Sequence, residues 1–183
     1  MLNLEKEAGI YGCELAIFAA RNKLPLELFG VPDHMVIKAA DLDDFGDLVR
    51  DEIIPKSKNA SCVETEPRFK VAAKLTGRIA LFDLGHFDWV EVDEPRIDQP
   101  SASVERAEFI YPSLERALQI LEARKIYTDI TEQGNRAFVG VKARNSSLEF
   151  RLTNTPLADV VDEQVERNVA IPISLANKKS NKS

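Results

Sequence analysis

His34 carries the side chain best placed in this sequence for metal binding or proton transfer. It follows Asp33 at the start of a short, mostly apolar segment, His34 to Ala39, that reads as a strand. A histidine in such a position is most often a hydrogen-bonded structural residue. Neutral imidazole can also bind a metal or act as a general base, so both interpretations stay open.

His86 is the second histidine, and acidic residues lie near it in the sequence. Asp88 and Glu91 follow it within five residues, and Glu108 lies further along the chain. Together these groups could form an oxygen-rich metal site. Charged residues on the solvent-facing side of antiparallel strands explain them more simply.

Motifs for several other chemistries are absent from the sequence. There is no GxGxxG or GxxxxGK[ST] loop for nucleotides, no GxSxG nucleophile elbow and no HExxH helix. Cys13 lies in a predicted helix without a histidine close by in the sequence, so nothing supports a cysteine nucleophile.

Composition limits the partners and the compartment. The 183 residues include 24 basic and 30 acidic side chains, which gives a net charge of −6 at pH 7. A surface of that sign repels phosphate backbones, so we expect no nucleic acid partner. No segment approaches the roughly 20 apolar residues of a membrane helix, and two separated cysteines fit a reducing compartment. We therefore expect a cytoplasmic protein that does not bind membranes.

The positioning elements follow from hydrophobic periodicity and from capping residues. Leu4, Ala8, Tyr11, Leu15 and Phe18 form one stripe of an N-terminal helix, which should end before Pro25. A strand and helix follow twice, each helix beginning at an N-cap, and each time three strands come next. Gly77 reads as a turn between two of those strands. After the first helix of the pattern, strands are predicted near 62–66, 69–76 and 78–84, and a further strand at 88–93. After the second helix of the pattern, strands are predicted near 127–131, 136–143 and 148–152.

The two halves of this pattern have the same order and spacing of elements, as in a sequence repeat. An offset of 72 residues places the N-cap Asp41 on the N-cap Ser113 and Leu42 on Leu114 without a gap. Element order and spacing therefore predict a duplicated βαβββ module. The fold class is α+β, with two βαβββ modules forming a curled mixed sheet and an added N-terminal helix.

This duplicated module resembles the vicinal-oxygen-chelate superfamily of glyoxalases and extradiol dioxygenases, and within it the YecM-like branch. The resemblance covers roughly residues 30–165, and it implies a ligand held inside the curl of the sheet. Five short segments carry it: Asp33-His34-Met35, Arg78 to Leu84, Trp89-Val90-Glu91-Val92, Glu105 to Phe109, and Leu148-Glu149-Phe150.

In that superfamily the metal is typically held by residues on the first and last strand of each module. The resemblance carries those positions over to His34, Leu81, Arg106 and Glu149. Leucine cannot bind a metal, and arginine places a permanent cation there. Only His34 and Glu149 match the ligand types, which falls short of the three protein ligands of an ordinary divalent site.

The resemblance implies a site inside the curl. We expect His34 and Glu149 as acid–base groups, and His34, Arg106, Glu108 and Glu149 as ligand-binding residues. Any divalent metal would be bound by His34 and Glu149. Arg106 would either pair with Glu149 in a bidentate fork or receive an anionic group of the ligand.

The organisation that we predict has four parts. Residues 1–30 form a helix and linker, 31–95 the first module, 96–170 the second module with a C-terminal helix, and 171–183 a disordered polar tail. The function expected is binding of a small polar or anionic molecule, with no particular reaction indicated. The alternative is a non-catalytic interaction module with a side-chain-filled cavity, in which the N-terminal helix supplies a homodimer or partner surface.

Overall fold

Four α-helices and nine β-strands occur in the computed structural model, which describes residues 2–65, 68–95, 97–133, 136–143 and 147–173. The helices are α1 (Leu4–Arg21), α2 (Leu42–Asp47), α3 (Leu114–Glu122) and α4 (Leu157–Glu166). The strands are β1 (Pro32–Lys38), β2 (Ser57–Thr65), β3 (Arg68–Ala80), β4 (His86–Asp93), β5 (Ser103–Ile110), β6 (Thr128–Gln133), β7 (Arg136–Lys142), β8 (Glu149–Thr153) and β9 (Ala170–Pro172). No helix within these ranges is long and apolar enough to span a membrane.

The nine strands form one curled, unclosed mixed sheet in the order β6-β7-β8-β5-β1-β4-β3-β2-β9. β1 pairs in parallel with β4, and β5 pairs in parallel with β8. β1 and β5 meet antiparallel at the centre. The order from β5 outward to β6 therefore repeats the order from β1 outward to β2. Two βαβββ modules joined at their first strands are confirmed, as is the α+β class.

Both predicted N-caps begin the helix of their module. The Asp41 carboxylate accepts from the backbone N–H of Asp44 at 2.8 Å, and the Ser113 hydroxyl oxygen accepts from that of Arg116 at 3.2 Å. Each cap satisfies one of the backbone donors that a helix N-terminus leaves unpaired. The first helix continues beyond α2 as a π-helical turn (Leu48–Ile53) and a 3₁₀ turn (Ile54–Lys56).

The predicted turn at Gly77 is wrong, because β3 runs without interruption from Arg68 to Ala80. Pairing with β4 changes register between Lys74 and Ile79, so Gly77 lies in an irregular part of the ladder. An isolated glycine inside a strand often marks such an irregularity rather than a turn. The last strand of the first module is consequently β4, and the segment 78–84 does not form it.

The predicted linker between α1 and β1 belongs to the core. A 3₁₀ turn at Leu26–Phe29 buries Leu28 and Phe29. The Phe29 ring lies edge-on to Phe109 and Phe150, with centroid distances of 5.3 and 5.2 Å. This segment therefore packs against the central strands of the second module.

The predicted polar tail begins too early at residue 171. Ile171 and Pro172 belong to β9, which pairs antiparallel with β2 opposite Cys62 and Ser61. A short strand added at a sheet edge satisfies backbone groups of β2 that would otherwise face solvent. Residues 174–183 of the predicted tail lie outside the described part of the chain.

The outer face of the sheet is apolar and carries α1 and α3. Leu15 of α1 and Leu121 of α3 are fully buried in one core with Met35, Phe109 and Phe150. The predicted stripe of α1 therefore packs against the chain's own sheet. Fully burying side chains of this size contributes about 1.5–3 kcal/mol each.

The opposite face, which we call the inner face, carries charged side chains and is covered in part by α4. Leu157 and Val161 of α4 pack with Ala72 and Trp89 in a small separate cluster. α4 thus lies over the first module's part of the inner face.

Candidate functional site

Cross-strand pairing gathers charged side chains from four strands on the inner face. His34 of β1 lies opposite Glu108 of β5, and Glu108 lies opposite Arg151 of β8. Val36 of β1 lies opposite Arg106 on one side and Glu91 of β4 on the other. Directly paired residues point to the same face of a sheet. These side chains form the inner-face cluster: His34, Glu91, Arg106, Glu108 and Arg151.

Arg106 lies among carboxylates in the middle of this cluster. Its Nε donates to Oε1 of Glu108 at 3.0 Å, Nη1 forms an ion pair with Glu105, and Nη2 lies 4.0 Å from Oε1 of Glu91. A register shift in the β1–β5 ladder leaves Glu105 as an extra, unpaired residue beside it. Burial alone would lower the pKa of Arg106, but Glu108, Glu105 and Glu91 outweigh it and raise the pKa. The cluster therefore contains a permanent buried cation.

His34 is held between two carboxylates. Its Nδ1 lies 2.8 Å from Oδ2 of Asp33, and its Nε2 lies 3.8 Å from Oε2 of Glu108. Burial alone would lower the pKa of His34, but Glu108 and Asp33 outweigh it and raise the pKa. The Asp33 carboxylate also accepts from the backbone N–H of Leu157 at 2.9 Å. Asp33 therefore links His34 to the first turn of α4.

Glu91 and Asp93 share one lysine at the side of the cluster. Nζ of Lys70 lies 2.9 Å from Oε1 of Glu91 and 3.5 Å from Oδ1 of Asp93. Burial alone would raise the pKa of Glu91, but the charges of Lys70, His34 and Arg106 outweigh it and lower the pKa to about 2. Burial, together with the charge of Glu91, raises the pKa of Asp93 to about 6. Two buried carboxylates that share one lysine favour one ionised and one protonated group.

A cavity of about 150 Å³ opens on the inner face of the second module. Arg151 lies at its wall, where Nη2 is 3.5 Å from Oε1 of Glu149 and Nη1 is 3.9 Å from Oε1 of Glu108. Gly140 is the residue paired with both Asp129 and Arg151, and its missing side chain leaves room between them. The lining consists of Tyr127, Asp129, Thr131, Gly140, Val141, Lys142, Glu149 and Arg151.

Comparison with known proteins identifies the fold only through solved structures. No protein-family model matches the chain, and no curated protein sequence matches it. The structural-genomics protein EC4020 aligns over 84% of this chain and 87% of its own, with a TM-score of 0.66 and 14% identity. Methylmalonyl-CoA epimerase from Mycobacterium tuberculosis, a vicinal-oxygen-chelate protein, aligns over 71% of this chain and 91% of its own, with a TM-score of 0.50 and 11% identity. The chain has the vicinal-oxygen-chelate fold. At such identities the likeness extends to the fold alone.

The metal positions of the vicinal-oxygen-chelate fold lie on β1, β4, β5 and β8, the first and last strands of the two modules. In this chain those strands present His34, Glu91, Arg106, Glu108 and Arg151 to the inner face. The Arg106 guanidinium lies between Glu91 and Glu108, so a cation already neutralises the carboxylates that a metal would need. A divalent ion placed beside it would be repelled. Among the described residues, no group of three or more His, Cys, Asp or Glu side chains is arranged to hold a metal. The residues present do not fit a divalent metal.

Leu81 lies elsewhere than expected, and Glu149 has a different partner. Leu81 follows β3 and is fully buried in the core, where α1 packs so closely that a Cβ at Gly12 would lie 2.7 Å from the Leu81 carbonyl carbon. It does not lie on the last strand of the first module, and Glu91 on β4 occupies the inner face instead. Glu149 does reach the inner face, where it forms an ion pair with Arg151; among the described residues it forms none with Arg106, which was one of the two predicted arrangements.

The alternative oxygen-rich site around His86 is divided between two places. His86 is exposed at the start of β4, and Asp88 lies 3.8 Å from Nζ of Lys74. Glu91 and Glu108, by contrast, belong to the buried inner-face cluster. The four residues therefore do not converge on one site.

Arg151, Lys70 and Asp93 are site residues that sequence reasoning missed. Arg151 follows Glu149 by two residues on a strand, which places both side chains on one face. This spacing could have identified Arg151 as a site residue. Lys70 and Asp93 are neighbours only through the β3–β4 register, which no local pattern reveals.

Proposed function

We propose that this chain is a vicinal-oxygen-chelate protein of the YecM-like branch that binds a small anionic molecule in the inner-face cavity, without a divalent metal. The observation that supports the proposal most is the position of Arg151 at the cavity wall. Its side chain is 29% exposed, whereas that of Arg106 is 7% exposed. Arg151 can therefore reach a ligand that Arg106 cannot.

The charges of the cavity favour a small anion that carries hydrogen-bond donors. A guanidinium binds carboxylates and phosphates in a bidentate manner, and Lys142 adds a second cation. Lys142 forms no ion pair among the described residues. Glu149 and Asp129 would accept from hydroxyl or amine groups of the same ligand.

The residues expected to act in acid–base chemistry take different roles under this proposal. Glu149 lines the cavity and can exchange a proton with a bound molecule directly. His34 does not line it; it contacts Glu108, which contacts Arg151. His34 is therefore a positioning residue that acts through Glu108.

The alternative function is a non-catalytic interaction module, and one observation favours it. The His34 side chain is only 1% exposed, and Arg106 fills the space among the carboxylates of the metal positions. Under this alternative the buried side chains fill the metal positions and only maintain the fold.

Calorimetry with inorganic phosphate and with propionate separates the two functions. We expect saturable binding to the wild-type protein and at least a tenfold loss of affinity in Arg151→Met. Arg167→Met is the control, because Arg167 is an exposed arginine that pairs with Glu163 on α4. Absence of saturable binding to the wild type would favour the interaction module. Plasma mass spectrometry of the purified protein should find less than stoichiometric Mn, Fe, Ni and Zn.

A further inference from the structure

A second and larger cavity adjoins the inner-face cavity. It is a groove of about 650 Å³ between the C-terminal half of α1 and the edge of the second module. Its apolar lining comes from Ile17 and Phe18 of α1 on one side and from Ile126 and Leu148 on the other. α1 lies outside the minimal superfamily fold, so this groove exists only because the helix is added.

Two residues, Tyr127 and Lys142, line both cavities. They lie at the end of the β6–β7 hairpin, where Thr128 and Val141 form the last paired positions. Tyr127 is 68% exposed, and Lys142 is also exposed. Side chains this accessible can turn aside at little cost in packing. One elongated molecule can therefore occupy the inner-face cavity and the groove together.

We propose that the ligand is a carboxylate with an extended apolar body, its anionic group at Arg151 and its body passing Tyr127 into the groove. This inference rests on the proposed function and names the class of molecule that the same site takes. The inner-face cavity alone, at about 150 Å³, is smaller than the roughly 300–1,000 Å³ of ordinary ligand sites. The groove supplies the missing volume and an apolar surface.

The charge of the groove agrees with an anionic ligand. Arg21, Lys125 and Lys142 line it, and Glu14 is the one acidic residue in its described lining. None of the three cations forms an ion pair within the described ranges. A local excess of positive charge in a chain of net charge −6 attracts anions to this edge of the molecule.

Calorimetric titration with straight-chain carboxylates from propionate to octanoate tests this arrangement. Each added methylene that leaves water should tighten binding roughly threefold to fourfold. Ile17→Asp should remove this dependence on chain length. Ile10→Asp is the matched control, because Ile10 is equally exposed on α1 (47% against 46%) and does not line the groove.

The outcomes separate this inference from the proposed function. Equal affinity for all chain lengths, with phosphate still bound, would overturn the inference and leave the function standing. A chain-length dependence that survives Arg151→Met would also overturn it, since the groove would then bind apolar chains by itself. If neither phosphate nor any carboxylate bound the wild type, both proposals would fail.

Discussion

Nε of Arg106 lies 3.0 Å from Oε1 of Glu108, two residues further along the same strand, and both side chains are almost completely buried. Removing one partner of such a pair leaves an uncompensated charge in the interior. We therefore expect Arg106→Met to lower the free energy of unfolding by about 3–5 kcal/mol. Urea unfolding monitored by circular dichroism measures this change.

The control for that experiment is Arg50→Met. Arg50 also contacts two carboxylates, Asp47 and Asp51, but on the exposed surface. Exposed ion pairs contribute little, so this variant should unfold like the wild type. An Arg106→Met protein that is as stable as the wild type would show that the buried network is not held by its central cation.

Replacement of Arg106 by histidine should create a metal site. The substitution removes the cation and adds an imidazole beside His34, Glu91 and Glu108, which are donors that transition metals accept. We expect Arg106→His to bind Zn²⁺ or Ni²⁺ with one-to-one stoichiometry, measured by calorimetry. The double variant Arg106→His/His34→Ala should lose this binding. Tight metal binding by the wild type would contradict the argument.

Much of the fold could be predicted from the sequence, because the signals that define it are local. The caps at Asp41 and Ser113 each satisfy a helix N-terminus, and their equal spacing from the preceding strand revealed the duplication. The turn at Gly77 was predicted wrongly because glycine occurs both in turns and at irregular positions within strands. Only the β3–β4 register distinguishes the two cases. That error displaced the last strand of the first module and, with it, the assignment of Leu81.

The candidate site could be predicted only in part. Arg106 and Glu108 are two residues apart on β5 and therefore share a face, and this relation is local in the sequence. His34 joins them only through the register of β1 and β5. The carboxylates around Arg106 could not be predicted, since strand pairing and the bulge at Glu105 determine which of them surround it. Such relations depend on register between distant segments, which a local pattern does not contain.

Asp93 should make the stability of the protein depend on pH. Its pKa is raised to about 6 by burial and by Glu91, so the folded state favours the protonated form. The stability that this group contributes is fully present below its ordinary pKa of 3.8 and is lost as the pH rises through about 6. Asp93→Asn should therefore be more stable than the wild type at pH 8, by on the order of 1–3 kcal/mol, and nearly equal to it at pH 3.

Thermal or urea unfolding at the two pH values checks this expectation. Asp162→Asn, which changes the same charge on the exposed side of α4, is the control and should show no such difference between the pH values. Equal effects of both substitutions would indicate that net charge, rather than the buried position of Asp93, is responsible.

Tyr11 connects α1 to the strands that carry the site. Its hydroxyl accepts from the backbone N–H of Ala107 at 3.0 Å and donates to the backbone carbonyl of Glu149. Tyr11→Phe would leave both buried backbone groups without this partner, which costs about 1–3 kcal/mol. Tyr127→Phe removes a hydroxyl from a side chain that is 68% exposed and should leave urea unfolding unchanged. An equally stable Tyr11→Phe would mean that water replaces the hydroxyl.

Trp89, the only tryptophan of the chain, should report whether α4 is docked on the inner face. It is 7% exposed and packs with Leu157 and Val161 of α4. Val161→Asp places a charge in this apolar contact, so α4 should detach and expose the indole to water. We expect the fluorescence maximum to move to longer wavelength and quenching by acrylamide to increase, while Asp162→Ala on the exposed side leaves both unchanged. An unchanged emission spectrum in a folded Val161→Asp protein would show that α4 does not cover Trp89 in solution.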